Sequence, residues 1–167
     1  MPRLRAGLAA VVLVLAACSN LVGADEKKEP PKLELSEEEK TLLELTNKER
    51  ADKKLPPLEA NPILFKVARA HAANMAKQGK MEHVLDDKNP AQRIEKAGYD
   101  YRSVGENIAW GEKGAKIDVI FKGWMDSKIH RENILSRKYD EIGIGLGTDD
   151  KGDIYYTQDF GKQRSQD

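Results

Sequence analysis

Residues 141–147 read Glu141-Ile-Gly-Ile-Gly-Leu-Gly147, and after Thr148-Asp-Asp-Lys-Gly152 the chain continues Asp153-Ile-Tyr-Tyr-Thr-Gln-Asp-Phe-Gly161. Ile142, Ile144 and Leu146 alternate with three glycines, the period of a strand whose successive side chains point to opposite faces. The glycine face carries no side chains, so another element must lie close against its backbone. Asp149 to Gly152 has the chemistry of a turn, and residues 153–161 return as an antiparallel partner.

Upstream, helix signals dominate. Ser36 followed by Glu39 forms a capping box opening a helix to about Ala51, with Leu42 and Leu45 on a thin apolar stripe that Leu55-Pro56-Pro57 ends. Asn61-Pro62 provides an N-cap and a proline at N1 for a second helix, and Gly79 its stop. Leu64, Val67, Ala68, His71 and Met75 line one face of that helix, which makes His71 a core histidine. Asn89-Pro90 starts a third, short helix ending at Gly98. A fourth runs from about Ala115 to Ser127 with Ile117, Ile120, Phe121 and Trp124 on one side. Ser103 to Trp110 is a short candidate strand. Helices ahead of a terminal hairpin predict an α+β fold, an antiparallel sheet covered by helices.

The whole chain has 167 residues, 40 % apolar and 34 % charged, which fits one globular domain. Its 28 basic residues balance 28 acidic ones, so no basic excess serves a phosphate backbone and a nucleic-acid partner is excluded. A single cysteine excludes an intrachain disulfide framework and a Cys-rich zinc module. None of the P-loop, nucleophile-elbow or H-E-x-x-H patterns occurs.

The N-terminus reads as a targeting segment. Arg3 and Arg5 precede an apolar run from Gly7 to Ala17, too short to span a bilayer but suited to a signal peptide. The run closes on Leu15-Ala-Ala-Cys18, which resembles the bacterial lipobox. That resemblance implies a signal peptide over 1–17, diacylglycerol on the Cys18 thiol and an acylated new N-terminus, a firm anchor because each buried methylene adds about 0.8 kcal/mol. Ordinary secretion is the alternative. Residues 18–35 then read as the lipidated cysteine and a polar tether with Pro30-Pro31, and 36–167 as the domain. Ser19 after the cysteine resembles an outer-membrane sorting signal where two membranes are present.

Four segments carry chemistry: Met81-Glu-His83, Gly105-Glu-Asn-Ile-Ala109, Trp124-Met-Asp-Ser-Lys-Ile-His-Arg-Glu-Asn-Ile-Leu135 and Tyr155-Tyr-Thr-Gln-Asp-Phe-Gly161. In this order and spacing they resemble the CAP superfamily (cysteine-rich secretory, antigen 5 and pathogenesis-related 1 proteins; the SCP domain), in its disulfide-free bacterial branch, over about Glu39 to Gly161. The resemblance implies an α-β-α sandwich with a cleft holding two histidines and acidic partners. By motif, His83 matches the first histidine, Glu106 the glutamate of G-E-N and His130 the second histidine. The family's second glutamate falls on Ser127, with Asp126 just before it, so two-carboxylate chemistry requires Asp126 to swing in.

Two neutral imidazoles and a carboxylate suit a divalent metal such as zinc, giving His83, His130 and Glu106 as candidate ligands. The same groups also suit a proton switch, or a hydrogen-bonded cluster tying loops to the sheet. A Ser127–His130 dyad lacks an elbow and an oxyanion donor pair, and Ser127 reads rather as a helix-end cap. Asn133 is expected to bind backbone in the turn after His130, and Gln158 likewise beside the cleft. Three functions follow. The first is an anchored extracytoplasmic monomer binding an envelope or extracellular ligand, lipids among the candidates. The second is a metal-dependent hydrolase acting on peptide, ester or glycan, with Glu106 and His130 as catalytic candidates. The third is a structural envelope protein. The missing glutamate at position 127 favours binding over hydrolysis.

Overall fold

The computed structural model describes residues 33–164. The signal peptide, Cys18 and most of the tether lie outside the described residues. Ser36 Oγ accepts from the Glu39 amide, and the Glu39 carboxylate accepts from the Ser36 amide, so the capping box opens α1 at Glu37–Asp52. The two-residue β1, Glu59–Ala60, follows. Asn61 Oδ1 accepts from the Ile63 and Leu64 amides at the head of α2, Pro62–Gln78, which Gly79 closes in the left-handed region at φ 62°. Then come α3 (Pro90–Lys96), β2 (Tyr101–Gly111), α4 (Ile117–Asp126), α5 (Lys128–Ile134), β3 (Glu141–Thr148) and β4 (Ile154–Gln163).

The strands form one sheet in the order β1-β3-β4-β2. The predicted hairpin is β3–β4, and β2 adds antiparallel to the far side of β4. The glycine face of β3 meets α2 backbone to backbone. A Cβ on Gly143, Gly145 or Gly147 would lie 2.0, 2.2 or 2.4 Å from main-chain atoms of Leu64, Arg69 or Ala72. The opposite face of the hairpin, with Ile142, Ile144, Tyr156 and Phe160, packs on Leu42 of α1, Phe121 and Trp124 of α4 and Ile134 of α5. On the α2 side, Leu64 and Val67 pack with Ile94 of α3 and with Tyr99. The result is a helix–sheet–helix sandwich in which β2 is an edge strand.

That edge is closed by side chains. The carbonyls of Val104, Glu106 and Ile108 accept from Tyr139 Oη (3.2 Å), Asn133 Nδ2 (3.2 Å) and Trp124 Nε1 (3.0 Å). Alternate strand residues point the same way, so these donors occupy the carbonyls a foreign strand would pair with. They also bring α5 up to the margin of β2.

Three expectations change. The fourth predicted helix ends at Asp126; Ser127 is extended (φ −79°, ψ 124°), and the separate helix α5 begins after it. The sheet is not purely antiparallel, because β1 pairs parallel with β3. The domain begins before Ser36: Leu33 and Leu35 pack on the core, and the Glu34 carbonyl accepts from Arg69 Nη2 at 2.7 Å.

Candidate ligand-binding cleft

Glu106 stands on β2 on the face toward α2, its side chain 1 % exposed. Its Oε1 accepts from His83 Nδ1 at 2.7 Å and its Oε2 from Arg93 Nη2 at 2.5 Å. His83 belongs to the loop between α2 and α3, and its ring is half-exposed. With Nδ1 turned inward to the carboxylate, Nε2 is the nitrogen left for a ligand. Arg93 of α3 fixes the loop as well, donating from Nη1 to the carbonyls of His83 and Lys88, both at 2.8 Å. One guanidinium therefore holds both the histidine backbone and the glutamate that orients its ring.

Behind them is His71, 1 % exposed, as a core histidine should be. Its Nε2 lies 3.1 Å from the Glu82 carbonyl, which can only accept, so the proton sits on Nε2. The same nitrogen is 3.7 Å from Glu106, and burial holds the ring below the usual imidazole range against the pull of that carboxylate. Asp159 is the cross-strand partner of Glu106 and is 0 % exposed. Neither of its oxygens has a hydrogen-bond partner among the described residues. Burial first, then the neighbouring charge of Glu106, pushes its carboxyl well above the ordinary range, with Arg93 opposing. Burial and the Glu106 carboxylate beside it thus both favour the protonated form of Asp159.

The second histidine arrives from the other layer. Asn107 Nδ2 donates to the His130 carbonyl (3.0 Å) and to Gln158 Oε1 (3.2 Å), while Asn133 Nδ2 donates to Asn107 Oδ1 (2.9 Å). Gln158 Nε2 continues the chain to Thr46 Oγ1 at 3.0 Å. This amide chain ties α1, β4, β2 and α5 together and sets α5 against the β2 margin. Burial and then the charge of His83 hold the His130 imidazole below its usual range.

The expected site residues therefore separate. His83 and Glu106 are joined by a hydrogen bond, and the backbone of His130 is held to Asn107, the residue next to Glu106 on β2. Asn133 binds the Glu106 backbone as expected, although within α5 rather than in a turn. Gln158 is wholly buried and meets no ligand surface. Asp126 does not swing in: it is 66 % exposed and paired with Lys122 at 2.5 Å. Ser127 Oγ makes no cap hydrogen bond, and among the described residues none to His130, so the dyad is not assembled. Arg93 and Asp159 were absent from the sequence-derived set; the only local sign of either was a charged residue inside an otherwise buried strand at Asp159.

The donors are unequal as metal ligands. Among the described residues no group of three or more His, Cys, Asp or Glu side chains is arranged to hold a metal ion. Glu106 has both oxygens engaged, one by a guanidinium that would repel a dication. Only the two imidazoles suit a metal, with Glu106 in the position of a carboxylate orienting a ligating histidine.

A model of the CAP, or cysteine-rich secretory protein, family matches residues 43–160. The chain belongs to the CAP family. The YkwD protein of Bacillus subtilis is 36 % identical over 125 residues, 74 % of this CAP chain and 47 % of that protein. The membrane protein YlbC of the same organism is 33 % identical over 126 residues, 75 % of this chain and 34 % of its own length. The chain thus spans less than half of these two curated relatives. Among solved CAP-like structures, an outer surface protein of Borrelia burgdorferi has a TM-score of 0.72 at 24 % identity, covering 79 % of this chain and 97 % of that one. An extracellular SCP-domain protein of Bacillus anthracis has a TM-score of 0.65 at 27 % identity, covering 75 % and 40 %. The first supports the fold alone. Among the described residues no helix is long and apolar enough to cross a membrane.

Proposed function

We propose that this CAP domain is an extracytoplasmic binding module whose cleft offers His83 and His130 to a divalent cation such as Zn²⁺, and through it to an envelope or extracellular ligand. The observation that carries the reading is the lock of His83 Nδ1 on buried Glu106, which leaves Nε2 as a fixed, half-exposed donor. Orientation of a ligating imidazole by a carboxylate is the usual outer-shell arrangement at metal sites. Bound zinc would supply a Lewis-acidic anchor with open positions. The protein's part is to hold both imidazoles in place: Arg93 and Glu106 fix His83, and the Asn107–Asn133 pair fixes the segment bearing His130. Binding is favoured over hydrolysis because both oxygens of Glu106 are occupied, so that carboxylate is not free to act as general base.

Calorimetric titration with Zn²⁺ is expected to give a saturable heat that is lost in His83→Ala and in His130→Ala. Glu106→Gln, which removes the charge but not the shape, should weaken binding by about 10–100-fold, the usual effect of an outer-shell change. Equal heats from the wild type and the double histidine variant would remove the metal from the proposal.

We further infer export and anchoring through Cys18, supported by the lipobox-like run and by the outer-surface and extracellular descriptions of two structural relatives. Expressed in a bacterium that processes lipoproteins, the protein should partition into detergent, and Cys18→Ser should move it to the aqueous phase. A Cys18→Ser protein that still enters detergent would exclude lipidation as the anchor.

A further inference from the structure

Between α2 and α3 lies a cavity of about 340 Å³ that contains neither of the imidazoles proposed to hold the metal, His83 and His130. It backs onto the buried charge cluster, since His71 and Arg93 belong to its lining. Its apolar wall comes from Val67 and Leu85, each 6 % exposed, and from Ala97. Three lysines from three segments also belong to its lining: Lys66 on α2, Lys88 in the loop and Lys96 on α3. None of the three makes an ion pair among the described residues.

The one carboxylate among the described lining residues, Asp86, is already engaged by the amides of Asn74 (2.9 Å) and Gln78 (3.1 Å). Arg93, the fourth cation, is committed to Glu106 and to two carbonyls. The whole chain balances its charges, so three unpaired lysines around one apolar hollow are not the consequence of a basic surface. Asp86 keeps its charge within reach of Lys88, and the lysines still outnumber it, so the lining is net positive over a low-dielectric wall, which concentrates anions.

We propose that the α2–α3 cavity binds a small organic carboxylate, its compact apolar body against Val67, Leu85 and Ala97 and its carboxylate among Lys66, Lys88 and Lys96. Both halves of the chemistry are required. An inorganic anion gains the lysine field but leaves the apolar wall wet, whereas a neutral hydrocarbon covers the wall but leaves the ammonium groups unmatched. The volume is at the small end of ligand pockets, which suits a single ring or a short chain.

The test compares three compounds on the full chain by amide chemical-shift titration: benzoate, benzyl alcohol and inorganic phosphate. Benzoate should give saturable shifts at residues of α2 and α3, with the other two at least tenfold weaker. Ala70 also lines the cavity and is otherwise exposed, so Ala70→Phe fills the space without entering the core. It should weaken benzoate at least tenfold while the thermal transition stays within a few degrees. A Lys66→Gln/Lys96→Gln variant should lose most of the preference for benzoate over benzyl alcohol. Phosphate matching benzoate would reduce the site to a general ionic attraction and overturn the proposal, as would benzyl alcohol matching it. Benzoate binding unchanged in Ala70→Phe, or absent in the wild type, would overturn it equally. Zinc binding at the cleft is measured separately, so either reading can fail alone.

Discussion

Gly145→Ala is expected to abolish cooperative folding, or to lower the thermal transition by far more than ordinary core changes do. The added Cβ would sit 2.2 Å from the amide nitrogen of Arg69 and 2.3 Å from the Ala68 carbonyl carbon. Both are helix backbone, so no side chain can turn away; α2 itself must lift off the sheet. Overpacking by a methylene usually costs about 1–3 kcal/mol where neighbours can adjust. Here displacing α2 also uncovers the wholly buried Leu64, Phe65, Ala68 and Met75. A cost above about 4 kcal/mol is a large part of the roughly 5–15 kcal/mol that holds a domain of this kind together. Gly143→Ala should behave the same way, since its Cβ would meet Leu64 and Phe65 backbone at 2.0–2.3 Å. Gly123→Ala is the control: it lies in α4, nothing stands within 4 Å of its Cβ, and helix propensity predicts a gain of about 0.5–1 kcal/mol. The measurement is the melting curve of each variant by circular dichroism. Coincident curves for Gly145→Ala and wild type would mean that α2 does not rest on β3.

This glycine row is also where the sequence was most legible. An alternating Ile-Gly strand states both its period and the closeness of whatever covers it, and caps such as Ser36, Asn61 and Gly79 act over a few residues. Such local signals survive reading in one dimension. The break at Ser127 did not, because neither glycine nor proline marks it and α5 has only Ile134 fully buried. β1 is two residues long and exists through its pairing with Glu141 and Ile142, a contact spanning most of the domain. The cleft divides the same way. His83, Glu106 and His130 stand in recognisable motifs, whereas Asp159 acquires its role only because the register of β2 on β4 sets it opposite Glu106. Arg93 acquires its role because α3 delivers a guanidinium to that same carboxylate. Asp159 stands in one of the four quoted segments and Arg93 in none, but neither role is written in the local sequence; strand pairing reveals the first and the packing of α3 the second.

The second large effect is expected at this pair of acids. Glu106→Leu should cost about 3–5 kcal/mol, because it leaves a mostly buried guanidinium, 13 % exposed, facing an apolar side chain. Glu106→Gln should cost less, since its amide oxygen can still accept from Arg93, and loss of the charge beside Asp159 also eases ionisation of that acid, which can then stand opposite Arg93. Asp159→Asn should act in the opposite direction to either. In the folded protein the Asp159 carboxyl is raised by burial and by Glu106, while in the unfolded chain it loses its proton near about pH 4. Above that pH the native state keeps a proton the unfolded state has released, so this residue lowers stability progressively as pH rises toward its folded pKa. A carboxamide in its place would carry no such linkage. The Asp159→Asn variant should therefore be more stable than wild type at pH 7, because the linkage is gone, with the gain shrinking below about pH 4. The double variant separates these effects. In the Asp159→Asn background, Glu106→Gln leaves Arg93 no acid to recruit, so its cost at pH 7 should exceed the cost measured with Asp159 present. Urea unfolding of the four proteins at pH 7 and near pH 4 gives the coupling directly. Additive costs at pH 7 would mean that Glu106 and Asp159 do not share a charge, and the neutral acid behind the cleft would have to be abandoned.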